Sequence, residues 1–490
     1  MGSSVIFFVL VLYFVMLLVI AHFTGKNSNN DSFFLGNRKS KWYVVAFGMI
    51  GSSISGVTFV SVPGMVRSID MNYMQTVFGF FFGYLIIAHV LLPLYYKLHL
   101  TSIYTYLDKR FGKSAYKTGA CFFLLSRIIG SAARLYIVVL ILQSYFFDQY
   151  NIPFLVTTII IIGLIWAYTF KSGVKTIIWT DALQTFFLLG SLILIIWQVA
   201  SALYPDVGSV IQALKTDEHA KIFVFDDWQS KQNFFKQFIS GIFITIVMTG
   251  LDQDMMQKNL SCRTLKDAQK NMHWYGFSFI PVNFLFLCLG ILLLIFASQK
   301  GIQLPEIGDK ILPMIATDGY LGNIVIILFM IGITAASFSS ADSALTALTT
   351  SFCIDILNIG KYTPKRSKRI RMQTHFWIST AFVVIIFIFK SAGNQSIIDA
   401  IYMVASYTYG PLLGLFAFGL FTKTRIKDKP VPYICIASPV ICFIADRLVF
   451  YYTEYKFGYE ILMINGIITM LGLWCFSVKE PGGKKLRVKN

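Results

Sequence analysis

Thirteen stretches of 17 to 30 mostly apolar residues recur along the 490-residue chain. They lie near 4–23, 42–66, 74–96, 118–147, 152–170, 176–203, 237–253, 272–298, 321–350, 373–390, 396–422, 430–450 and 458–477. A helix needs about 20 such residues to cross the hydrocarbon core, whereas membrane strands are short and alternating. The pattern therefore predicts an all-α polytopic membrane protein with about 13 transmembrane helices. Composition agrees: 56% of residues are hydrophobic and 13% are charged. Ordinary soluble domains carry roughly 25% charged residues. A soluble enzyme is excluded, and so is a disordered chain. The first stretch reads as a span rather than a signal peptide. It has no basic flank ahead of it and no clear small-residue cleavage site.

The net charge of +18 suggests nucleic acid until its placement is examined. The connections 24–41, 97–117, 171–175, 254–271, 351–372 and 423–429, with the tail 478–490, hold 30 of the 42 Lys and Arg. The opposite connections hold 10. By the positive-inside rule the rich side is cytoplasmic, so the N-terminus is outside and the C-terminus inside. The excess is a topology signal, expected for a plasma (inner) membrane protein with no nucleic-acid partner. None of the seven cysteines forms a CxxC pair, which argues against a structural zinc site. No Walker A sequence is present, which argues against an ATP-driven pump. The longest polar connection, 204–236, is too short for a catalytic domain. The expectation is one membrane transport domain over 1–490, and not an enzyme.

Ionisable side chains at bilayer depth are expensive and mark function by default. Asp181, Asp342, Arg127 and Arg134 stand out. The plainer alternative is a pair of structural ion pairs between helices. A guanidinium matches a carboxylate in bidentate geometry. Each arginine therefore either pairs with Asp181 or Asp342 or meets an anionic solute. The second stretch carries FGMIGSSISGVTFVSVPG at 47–64. Small residues let membrane helices approach closely. Their density near 51–56 also fits a broken helix, which presents backbone carbonyls to ions at the midplane. The ninth stretch carries TAASFSSADSALT at 334–346. Ser339 and Ser343 are four apart, and Ala336 precedes Ser339 by three. One helix face thus bears a column of hard oxygens beside Asp342. Such ligands suit sodium rather than a soft metal.

These motifs, with GVKTIIWTD ending at Asp181, GLDQDMMQK at 250–258 and TYGPLLGLFAFGLF at 408–421, resemble the sodium/solute symporter family over nearly the whole chain. The family carries sugars, proline, pantothenate, monocarboxylates and sialic acids. The resemblance implies a LeuT-type 5+5 inverted repeat with peripheral helices. Residues 42–203 would form the first repeat and 237–422 the second. Residues 4–23 and 430–477 would be peripheral, and 478–490 a cytoplasmic tail. It implies a first sodium on the carbonyls of Gly51, Ile54 and Ala336 and the hydroxyls of Ser339 and Ser340. A second sodium would carry over to Asp181, Ser343, Ser340 and Asp342; some relatives have serine at the last position.

The solute pocket would draw on Ser53, Thr58, Gln75, Phe78, Arg134 and Thr245. Met248 stands where sugar carriers place an aromatic gate, and Phe78 where they place an acid. Arg134 points to an acidic solute such as a sialic acid or another carboxylate. The expected function is sodium-coupled symport of that solute by alternating access, with one or two Na+ ions. The expected partners are the solute, sodium and lipid, with no obligate protein partner. Alternatives are a sodium-coupled sugar, polyol or amino-acid symporter, or a proton-coupled carrier using Asp181 and Asp342 as relays. A membrane-embedded sensor or enzyme is further off. The six histidines are scattered, and the sequence runs about a dozen residues past its last span, where a sensor is expected to carry a signalling domain.

Overall fold

Backbone N–H and C=O groups in lipid must pair within their own segment, so apolar stretches become helices. The computed structural model describes residues 2–478 except 27, 172, 393, 394, 454 and 456; past Val478, the expected tail lies outside them. Each of the thirteen apolar stretches lies on helix. The principal helices are α1 (Gly2–Thr24), α2 (Trp42–Ser53), α3 (Gly56–Ile69), α4 (Tyr73–Ile86), α5 (Lys113–Leu142), α6 (Phe154–Thr169) and α7 (Val174–Leu203). They continue as α8 (Phe234–Thr245), α9 (Gln253–Leu260), α10 (Leu265–Lys300), α11 (Asn323–Ser351), α12 (Pro364–Ala392), α13 (Gln395–Phe421), α14 (Val431–Thr453) and α15 (Ile461–Cys475).

Among the described residues, eight helices are long and apolar enough to cross a membrane. The number is nine if a helix bent by 66° between Phe234–Gly250 and Gln253–Leu260 counts as one span. The helices α2, α6 and α15 are apolar but shorter.

Two helices are interrupted. The first break falls between α2 and α3, at Ile54 (ψ 94°) and Ser55, whose hydroxyl accepts from the Thr58 amide and caps α3. No glycine occupies the break itself. The glycines flanking it serve packing instead. A Cβ on Gly48 would come within 2.9 Å of Asp181 Cβ, one on Gly51 within 2.2 Å of Thr185 Oγ1, and one on Gly56 within 2.2 Å of Ser337 Oγ. Both readings of the small-residue run therefore hold, at different residues. The second interruption lies between α8 and α9, where Asp252 caps α9 by accepting from the Asp254 amide. The sequence reading treated the first part as a span and the rest as a loop.

Helix α11 is the central post. Every residue from Gly332 to Ser351 is buried. It packs against α7, α5, α12, α2 and α3. Helix α1 lies against α6, α7 and α11. A helix enclosed on all sides needs no amphipathic stripe, which is why its hydroxyls can face neighbours instead of water.

Candidate functional site

The broken helix and the post meet at their hydroxyls: Ser52 Oγ and Ser339 Oγ are 3.2 Å apart. The break ends α2 early, so its last carbonyls lose the donors a continuing helix would supply. Gly51 and Ile54 sit at this end, and Ala336, Ser339 and Ser340 on the buried face of α11. The backbone N–H of Gly51 donates to Thr185 Oγ1 at 3.1 Å and ties the break to α7.

Asp181 is 1% exposed and lies in the same cluster. Its Oδ1 accepts from Ser339 at 2.6 Å and its Oδ2 from Ser52 at 2.9 Å. The ammonium of Lys258 stands 2.8 Å from Oδ2 and donates to Ser52 at 2.5 Å. Lys258 is 3% exposed. Placed by sequence in a cytoplasmic connection, it is a buried counter-ion. Its one sequence signal is its position in GLDQDMMQK, where the charges nearly balance. Ser343 links the two carboxylates, donating to Asp342 Oδ1 at 3.2 Å and to Asp181 Oδ2 at 3.5 Å. Asp342 Oδ2 accepts from Tyr168 at 2.8 Å.

Neither expected partner of Arg127 is used. Its guanidinium lies 3.4 Å from Asp252 Oδ2 and in close contact with Asp254. Tyr409 donates to Asp252 at 2.9 Å. All these groups are buried. The sequence reading did not single out Asp252 or Asp254, because the second interruption was not foreseen. Around that bend, Tyr95 donates to the Gly250 carbonyl at 2.8 Å and Tyr104 to that of Leu251 at 3.0 Å.

Next to the break lies a cavity of about 260 Å³. Ser53, Thr58, Thr245, Arg127, Arg134 and Met248 line it. Ser53 and Tyr275 share a hydrogen bond of 2.5 Å, and Tyr84 meets Tyr275 at 2.9 Å. The wall does not include Gln75 or Phe78. Gln75 donates to the Gln232 carbonyl at 2.8 Å and accepts from the Val224 amide at 3.0 Å. Phe78 stacks on Phe223 with ring centroids 6.0 Å apart. Both residues hold the 204–236 connection in place. A second cavity, lined by Lys231, Lys236, Asp446, Arg447 and Glu460, adjoins the first at Ser406 and Tyr459.

Comparison with known proteins agrees with this geometry. Residues 33–428 match the sodium:solute symporter family. The chain is 24% identical over 451 residues to the sodium/sialic acid symporter SiaT of Proteus mirabilis, covering 88% of this chain and 87% of that protein. It is 27% identical over 404 residues to the sodium-dependent multivitamin transporter of Oryctolagus cuniculus, covering 79% of this chain and 61% of that protein. The fold superimposes on a substrate-bound, outward-open structure of a Na+-coupled sialic acid symporter with a TM-score of 0.81 at 20% identity, over 96% of both chains. A broken helix facing a hydroxyl-rich post, a cavity walled by that broken helix and a family match over most of the length lead to one assignment: the chain belongs to the sodium:solute symporter family and is a multi-pass, sodium-coupled solute transporter.

Proposed function

We propose that the transported solute is a small organic acid, a sialic acid or another carboxylate, held in the cavity above the helix break. The observation that carries this reading is Arg134 in the cavity wall among the hydroxyls of Ser53, Thr58 and Thr245. Arg127 also reaches the cavity, but two carboxylates already offset its charge. The names of two similar proteins, which carry sialic acid, support the same class.

The first sodium sits at the meeting of break and post, on the carbonyls of Gly51, Ile54 and Ala336 and the hydroxyls of Ser339 and Ser340. An ion there joins the two repeats, 42–203 and 237–422, so its affinity depends on their relative position. That differential affinity is what couples the ion to the conformational equilibrium. Each sodium entering down 100 mV contributes about 2.3 kcal/mol before its gradient is counted. The protein sits in the plasma (inner) membrane with its N-terminus outside, and the 30 Lys and Arg of the basic face support that orientation. The chain acts as a carrier rather than an enzyme.

A ligand screen by thermal unfolding in detergent tests this, with sialic acids, small carboxylates, sugars and amino acids, each with and without sodium. Binding stabilises the fold according to concentration over Kd. A sodium-dependent shift with an acid supports the reading. A shift confined to a neutral sugar, polyol or amino acid rejects the acidic solute and leaves the symport assignment standing.

A further inference from the structure

Most basic connections of this chain carry acids of their own. Asp31 lies in 24–41, Asp108 in 97–117, Asp254 and Asp267 in 254–271, Asp428 in 423–429 and Glu480 in 478–490. Two stretches have none. One is 171–175, with Lys171 and Lys175; the other is 356–372, with Lys361, Lys365, Arg366, Lys368, Arg369 and Arg371. Asp355, just ahead of the second stretch, is buried and takes hydrogen bonds from Ser102, Tyr116 and Ser351 instead. The fold brings the two acid-free stretches together: Arg371 Nη2 donates to the Lys171 carbonyl at 3.4 Å, where α6 ends and α12 begins. Lys171, Lys365, Arg366, Lys368 and Arg369 are exposed, and none forms an ion pair among the described residues.

Helical periodicity sorts the outer surface of α12 into layers. Arg366, Arg369, Gln373 and Trp377 follow at spacings of three and four, so they share one face, and all four are exposed. Trp377 is 66% exposed and Phe376 beside it 52%. Further along the helix the exposed side chains include Val384, Phe387 and Ile388. Within about six turns the surface passes from cations through aromatics to apolar groups. Trp166 of α6 stands against this surface, its ring centroid 6.4 Å from that of Phe376. Its indole N–H is buried without a hydrogen-bond partner. Behind the face, the guanidinium of Arg371 is fully buried and stacks on Phe33 at 4.2 Å. Its Nε and Nη1 have no acceptor, and no carboxylate among the described residues pairs with it.

Topology accounts for cations at this end of the helix. It does not account for the missing acids or for the layering below them. Unpaired cations above an aromatic belt and an apolar face match an amphiphile with a negative head. Clusters of roughly four to eight Lys and Arg at the end of a span attract anionic headgroups. Guanidinium forks fit phosphate oxygens in bidentate geometry. We propose that the outer face of α12, with Lys171 beside it, is a binding site for an anionic phospholipid. Arg366 and Arg369 hold its phosphate, Trp377 lies at headgroup level, and its chains run along Val384 and Ile388. Helix α12 packs against α5, α6 and α11, so the lipid braces a helix that backs the central post. The site does not depend on which solute is carried.

Electron spin resonance of spin-labelled phosphatidylglycerol and phosphatidylcholine tests this, with the full-length chain reconstituted in phosphatidylcholine vesicles. The wild type is expected to prefer phosphatidylglycerol at a saturable site. Each cation near the surface contributes about fivefold to binding. The double variant Arg366→Gln, Arg369→Gln is therefore expected to lose about tenfold or more of that preference. A charge-matched control, Arg263→Gln with Lys266→Gln, changes exposed cations in an acid-bearing connection and is expected to keep it. All four positions are exposed, so the fold tolerates the exchanges. Equal losses in the two double variants would reveal diffuse attraction to basic charge and overturn the site. A wild type with no preference for phosphatidylglycerol would overturn it as well. Displacement of the lipid by an equal concentration of inorganic phosphate would also overturn it, in favour of a soluble-anion site.

Discussion

The ammonium of Lys258 and the carboxylate of Asp181, 77 residues apart, meet at 2.8 Å in the interior, where both side chains are almost fully enclosed. A charge pair this deep offsets its own desolvation only while both partners are present. Removing one typically costs about 3–5 kcal/mol, because the survivor stays buried. We expect Lys258→Met to lower the unfolding temperature in sodium-free detergent. Added sodium should then restore more stability than it gives the wild type, since Asp181 becomes open to the ion. Equal sodium-induced shifts in the two proteins would show that Lys258 does not guard Asp181.

Arg127 serves two carboxylates, Asp252 and Asp254. Arg127→Ala should destabilise by about 3–5 kcal/mol. Adding Asp254→Asn should recover part of that loss, because one buried charge disappears with its partner. Thermal unfolding of the single and double variants measures the coupling. Additive losses would show that the pair acts independently.

Arg134→Ala should abolish uptake of an acidic solute into proteoliposomes and leave the fold in place. Arg134→Lys should retain a fraction, because a point charge replaces a planar fork. Undiminished solute affinity in the alanine variant would make the arginine structural.

Gly51 approaches α7 so closely that a Cβ would lie 2.2 Å from Thr185 Oγ1. Gly51→Ala should cost about 1–3 kcal/mol, the scale of overpacking in a filled interior. It should also shift the break away from α11 and weaken sodium binding. The second change Thr185→Ala should relieve the clash. No relief, measured as sodium-dependent stabilisation, would mean that Gly51 acts through its backbone conformation alone.

The architecture was legible because the bilayer imposes it. Long apolar runs have one outcome in lipid, so helix content follows from the linear order of residues. The break near 51–56 was legible from its small residues, though not which of them break the helix and which pack it. The column of Ser339 and Ser343 was legible because helical periodicity is local.

The charge partners were not legible. Arg127 has Asp252 and Asp254 because a 66° bend turns a predicted loop back into the protein. Lys258 enters the interior by the same bend. Gln75 and Phe78 have helix positions fit for a pocket, yet they hold the 204–236 connection. Sequence by itself determined a many-helix membrane carrier with a broken helix and a hydroxyl-lined post. Only the tertiary structure decided which buried charges pair. That pairing is set by distances of a few ångströms between residues far apart in the chain, where each misplaced charge costs several kcal/mol.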